Sequence, residues 1–257
     1  MSATVRQALF IASALIFALT LLAAMEGLPR FGSYRGPYGD LITGSVLPVR
    51  HTFQSVASVT FDFRGFDTLG EEFILFTSVA GVTLLFRRAK QEREERPRDV
   101  AFGRKLPEFY DLVRAIGILF LPFAAIFGVS IIFHGHITPG GGFQGGDFLA
   151  SALCLIYLSG GYSDFRAFIP SPLMEMLEAA GAAGFVLLGA AGLLLGGGFL
   201  ENVLPLGKAG RLLSAGTLPV LNLLVGTEVC AGFLLIATAF LKQAVMIRKK
   251  RDRRKRK

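Results

Sequence analysis

The acids inside or beside long apolar runs are the first candidates for chemistry. Glu228 stands near the middle of Leu223-Leu-Val-Gly-Thr227-Glu228-Val-Cys-Ala-Gly-Phe. A charge at the centre of a membrane span costs at least about 2.5–3.5 kcal/mol. This carboxyl must therefore face protein or water, either protonated or paired. Asp67, Glu71 and Glu72 open another apolar run. Asp67 and Glu71 are four apart and share a face if the run is helical. Like charges held close can exchange protons or bind a cation. Acids in a first turn also simply complement the helix dipole, and Asp67 and Thr68 suit capping. Glu71 lies deeper and is the better ion-handling candidate, with Glu72 behind it.

The second candidate is His134-Gly-His136-Ile-Thr-Pro139-Gly140-Gly141-Gly142-Phe143-Gln144-Gly-Gly-Asp147, between two apolar runs. An interior Gly costs a helix about 1 kcal/mol relative to Ala, and Pro about 3. The expectation is an irregular segment that breaks the membrane pattern. Such backbone survives at membrane depth only when buried in protein or lining a wet cavity. It is therefore expected to touch other chains or a hydrated path. His134 and His136, with Asp147 as the one nearby acid, fall short of a metal site. Hydrogen bonding or proton acceptance suits them better, since His titrates near neutral pH. No Gly-Lys-Ser/Thr ending makes this a phosphate loop.

The elements that position these residues are membrane helices. The chain is 52% apolar and 18% charged, with mean hydropathy +0.54, against roughly 25% charged in soluble domains. Apolar runs near the 20 residues that cross about 30 Å of hydrocarbon recur. Spans are expected at Val5–Gly27, Gly70–Phe86, Leu112–Phe133, Phe148–Gly160, Leu173–Leu195 and Thr217–Leu241, giving an all-α polytopic membrane protein. With both termini cytoplasmic, 21 of the 27 Lys and Arg lie on the cytoplasmic side, as the positive-inside rule requires. The glycine segment then lies near the outer face. The first run is long for a signal peptide and has no convincing cleavage site, so it reads as a retained span.

The basic tail, 248–257, follows a span directly. It reads as a topology anchor touching anionic lipid rather than a nucleic-acid site. Cys154 and Cys230 show neither metal spacing nor a disulfide framework. The fifth span is rich in glycines at spacings near four, the pattern of close helix packing. No nucleophile–base pair, dinucleotide fingerprint or cofactor motif appears, so nothing supports an independent enzyme. A basic linker, 87–106, divides a two-span module, 1–86, from a four-span module, 107–247. Between the first two spans, Thr52–Phe63 is rich in β-branched and aromatic residues, and periodicity does not decide between strand and interfacial helix.

The glycine segment resembles the signature G-H-x-x-P-G-G-G-F-Q of the MnhB family, the B subunit of Mrp-type multisubunit cation/proton antiporters. The four-span module is similar to that family in size and layout, and Asn222 and Glu228 sit in a last span that looks like the family's. Asp62-Phe-Arg64-Gly-Phe-Asp67-Thr-Leu-Gly70-Glu71 is similar to the C-terminal end of the Mrp A subunit, a unit also found in membrane-bound hydrogenases. The resemblance implies a complex in the cell's inner membrane that exchanges protons for sodium, with other antiporter subunits as partners. Hydrogenase-type subunits and a purely structural scaffold are the alternative settings. It places Asp67 and Glu71 on or near the ion path and packs the glycine segment against neighbouring subunits. The chain has no mid-span lysine, so it is not expected to pump alone.

Overall fold

Runs of span length become helices. A computed structural model describes residues 3–28, 32–33, 36–86 and 109–255. The linker expected at residues 87–106 lies outside them, as do the last two residues of the basic tail. Helices α1 (Ala3–Glu26), α2 (Pro37–Arg50) and α3 (Ser55–Ser58) are followed by a π-helical turn, Val59–Phe63. Then come α4 (Gly65–Leu85), α5 (Phe109–Phe133), α6 (Gly142–Phe168), α7 (Ser171–Leu195) and α8 (Leu218–Lys255). Six helices are long and apolar enough to cross a membrane, and no strand occurs among the described residues. The protein is an all-α polytopic membrane protein.

Three local expectations change. The segment Thr52–Phe63 is neither open strand nor regular helix. The Gln54 side chain caps α3 by accepting from the Val56 N–H at 3.3 Å, and the chain then widens into the π turn, closed by Arg64 N–H to Val59 carbonyl at 2.8 Å. The second span starts earlier, at Gly65. The fourth also starts earlier and ends later: Gly142–Asp147, expected to be irregular, forms the first turns of α6. Of the expected irregular segment, His134–Gly141 stay outside helix. Propensities measured in water do not govern here. A glycine inside a packed membrane protein lets a neighbouring backbone approach, and that contact offsets the cost.

Residues 1–40 and 41–257 form two units. The first holds α1, whose described side chains are exposed along its length. In the second, close contacts fix the helix directions. Gly142 faces Val225 and Gly226, while Gly146 faces Gly226 and Val229, so α6 and α8 run in parallel. Gly181 packs on Glu228, and Glu178 reaches Gly232, so α7 runs antiparallel to α8. Gly128 meets Leu149 and Gly145 meets Ile132, so α5 opposes α6. Glu72 of α4 meets Glu228, and Val79, farther along α4, meets Gly232, so α4 runs parallel to α8. Helices α4, α6 and α8 thus begin on one side, termed the near side, and α5 and α7 on the far side. One apolar cluster joins Phe61, Phe185, Leu218, Leu221, Val225 and Val229. A second joins Val79, Phe165, Ile169, Cys230 and Leu234.

The near side also carries a buried ion pair. Arg50 Nε lies 3.4 Å from Asp62 Oδ2, and the Asp62 side chain is 2% exposed. Burial raises the Asp62 pKa from 3.8 to about 6, against the lowering pull of Arg50 and of a hydrogen bond from Asn202. The folded value exceeds the unfolded one, so ionised Asp62 costs stability. That cost is absent below pH 3.8 and complete above about pH 6. Asp62→Asn is expected to remove it. Thermal unfolding of the detergent-solubilised protein from pH 4 to 7 should show the native protein losing roughly 2–4 kcal/mol relative to the variant as pH rises. Parallel pH profiles would refute the assignment.

Candidate functional site

Glu228 is fully buried in α8, as its sequence position requires. On α4 the order of the candidates changes. Glu72, 2% exposed, points inward, whereas Glu71 is exposed. Asp67 is also exposed and pairs with Arg64, whose Nε–H donates to Asp67 Oδ2 at 2.6 Å. Asp67 therefore acts as a first-turn acid of α4. The ranking of Glu71 over Glu72 is reversed for the interior, because the buried stripe of α4 runs through Gly65, Thr68, Glu72 and Val79.

The carboxyls of Glu72 and Glu228 lie within hydrogen-bonding reach of each other, and Glu178 of α7 is buried one turn farther along α8, beside Gly232. No protein N–H or O–H reaches Glu72 Oε2, Glu178 Oε1 or either oxygen of Glu228. Facing carboxylates are all acceptor; a hydrogen placed between them turns repulsion into an O–H···O bond. The cluster can be buried only if protons or a cation balance it. Glu178, 7% exposed, was not among the sequence candidates. Its signal is its phase: Glu178, Gly181, Phe185, Gly189 and Gly192 form one buried stripe of α7.

Glu72 borders a cavity of about 520 Å³ between α4, the π turn, the start of α6 and α8. Its polar lining is Thr60, Thr68, Glu71, Glu72, Ser78, Gln144 and Asn222. Gly140, Gly141 and Gly142 form one wall, with Phe143 beside them. Gly140 and Gly141 take φ of 139° and 144°, a region that disfavours any side chain. Asn222 Oδ1 accepts the Gly142 N–H at 2.7 Å, and Asn222 Nδ2–H donates to the Leu218 carbonyl at 3.0 Å. A side chain of α8 thus caps α6, a role that local sequence leaves empty, since Gly141 precedes the helix. Phe143 packs edge-on against Phe233, ring centres 6.2 Å apart.

The remaining signature residues divide between support and surface. His136 is fully buried; its carbonyl accepts from the Thr52 hydroxyl, and its Nε2 faces the Arg211 carbonyl at 3.3 Å. Burial lowers its pKa, so the ring is neutral and donates from Nε2. His134 is half-buried, with Nδ1 at 2.9 Å from the Ser130 carbonyl. Pro139, Phe143, Gln144 and Asp147 are exposed on the near side. The structure therefore brings Glu71, Glu72, Gln144 and the three glycines to one cavity and Glu228 behind it. It leaves Asp67, His134, His136 and Asp147 outside that cavity.

A family model described as a domain related to the MnhB subunit of Na+/H+ antiporter matches residues 112–235. An uncharacterized protein of Methanocaldococcus jannaschii, MJ1307, is 34% identical over 217 residues, 76% of this chain and 79% of that protein. The fold matches a chain of the membrane-bound sulfane sulfur reductase, an archaeal respiratory membrane complex, with TM-score 0.69 and 30% identity. That match covers 93% of this chain and 99% of the other. The fold also matches a chain of the Mrp complex from Dietzia sp. DQ12-45-1b, with TM-score 0.70 and 22% identity, over 94% of this chain and 26% of the other. With its glycine signature at the mouth of the cavity and its acids behind, the chain belongs to the MnhB family of antiporter-type membrane subunits, whose structural neighbours are members of multisubunit membrane complexes.

Proposed function

We propose that this chain is a path-forming subunit of a sodium/proton antiporter module in the cytoplasmic membrane. In this reading residues 1–86 and 107–247 descend from two neighbouring subunits, and large antiporter subunits supply the driving machinery. The supporting observation is the buried contact of Glu72 with Glu228 beside the cavity. A carboxyl pair without a protein donor is costly in a helix interface, and a passing ion or proton gives it a use. Glu71, exposed at the cavity, faces the ion first; Glu72 receives it. The transported species are H+ and Na+, and no cofactor is required on this chain.

The sulfane sulfur reductase likeness, covering nearly all of that chain, favours a second setting for the same module. There the exchange is driven by redox chemistry on other subunits. Mass spectrometry of the complex purified in mild detergent separates the settings, since iron–sulfur subunits accompany only the redox-driven one.

The path is tested by Glu72→Gln in the assembled complex. Sodium-driven proton exchange in membrane vesicles is expected to fall by about 10-fold or more, as when a positioned proton carrier is lost. Native exchange at native complex abundance overturns the reading.

A further inference from the structure

We infer that Glu178 extends the Glu72–Glu228 pair toward the far side of the membrane, so that this one chain holds a carboxyl route for protons through the middle of the bilayer. The inference rests on the proposed ion path and adds its direction, its cargo and its third member.

Depth comes first. Glu72 is seven residues past Gly65, the start of α4 on the near side, or about 10 Å along the helix at 1.5 Å per residue. Glu228 is ten residues past Leu218, about 15 Å deep. Glu178 is seven residues past Ser171, where α7 begins on the far side, about 10 Å from the opposite face. In hydrocarbon about 30 Å thick the three therefore lie about 10, 15 and 20 Å below the near face and step through its middle third.

Contact comes second. A Cβ on Gly232 would lie 3.6 Å from Glu178 Oε1 and 3.1 Å from Val79 Cγ2. Gly232 is one turn beyond Glu228 on α8, and Val79 two turns beyond Glu72 on α4. The Glu178 carboxyl therefore sits farther from the cavity than the other two, in a gap that the missing side chain of Gly232 leaves open. Its Oε1 is buried with no hydrogen-bond partner. Glu175, exposed and one turn nearer the start of α7, offers the way out.

The arrangement also suits a proton. A cation such as sodium needs several oxygens around one centre, as other hard cations do. Among the described residues no three His, Cys, Asp or Glu side chains converge in that manner. The glutamates are strung along an interface instead, and a proton passes along such a string by leaving one oxygen as it joins the next.

The test uses the whole complex in liposomes, with an internal pH dye and an imposed sodium gradient, in H2O and in D2O. Glu178→Gln is expected to slow proton flux by about 10-fold or more. Glu178→Asp keeps the acid but shortens its reach, so it should run several-fold slow with an enlarged solvent isotope effect. If Glu178→Gln prevents assembly, the Asp variant decides alone. Native rate and native isotope effect in whichever variant assembles overturn the extension. If Glu72→Gln is inactive in the same assay, that result strikes Glu178 alone and leaves the proposed path standing. If Glu72→Gln is also fully active, the path itself falls.

Discussion

Glu228→Gln is expected to reduce sodium-driven proton exchange on the order of 100-fold while the complex still assembles in native amount. The side chain is fully buried, and neither carboxyl oxygen has a protein donor. Glutamine keeps the shape, and its amide donates to Glu72, so the substitution removes a buried acid without opening a cavity. Packing is preserved where it is tightest: a Cβ on Gly181 would come within 2.6 Å of Glu228 Cβ, and no atom of that contact changes. What is lost is the capacity to accept and release a proton midway between the two faces. Dye-based exchange assays in vesicles, normalised to complex abundance, give the result. An active, abundant Glu228→Gln complex would reduce the cluster to a packing feature.

Gly146→Val is expected to act through the fold, not the chemistry. The added Cβ would meet the Gly226 carbonyl oxygen at 2.6 Å, Val229 Cβ at 3.0 Å and Cys230 N at 3.2 Å. Two of these atoms are backbone and have no rotamer to escape into. Overpacking at such a site costs about 1–3 kcal/mol, occasionally more, and here it pushes α6 away from α8. Yield of the assembled complex should drop sharply. Gly81→Ala on α4, where nothing lies within 4 Å of the added atom, serves as the control. Equal yields of the two variants would show that the α6–α8 contact is dispensable.

The six spans were legible because length and hydropathy alone define a membrane crossing. Burial within each span was not. Lipid and protein interior are both apolar, so periodicity does not tell which face of α4 turns inward. Glu71 and Glu72 are adjacent, and only the packing of α4 on α8 decides between them. Glu178 was overlooked near the start of a span, where an acid is ordinary. Its three-residue offset from Gly181 marks it only once the α7 stripe is known to be buried. The glycines mark the signature segment in the sequence, and its first part, His134–Gly141, is irregular as they require, while Gly142–Asp147 turn helical against local propensity. The donor that needs capping at Gly142 is answered from Asn222, 80 positions along the chain, beyond the reach of any local rule.

That long-range cap sets an order of events during biogenesis. At about 5–20 residues per second, roughly 4–16 seconds separate synthesis of Gly142 from synthesis of Asn222. Throughout that interval the first turn of α6 has an amide without its partner, and hydrocarbon does not forgive one. The nascent segment must wait at the water boundary or against the insertion machinery until α8 arrives. Final seating of α6 is therefore a late event, and the mouth of the cavity is among the last parts of the protein to close.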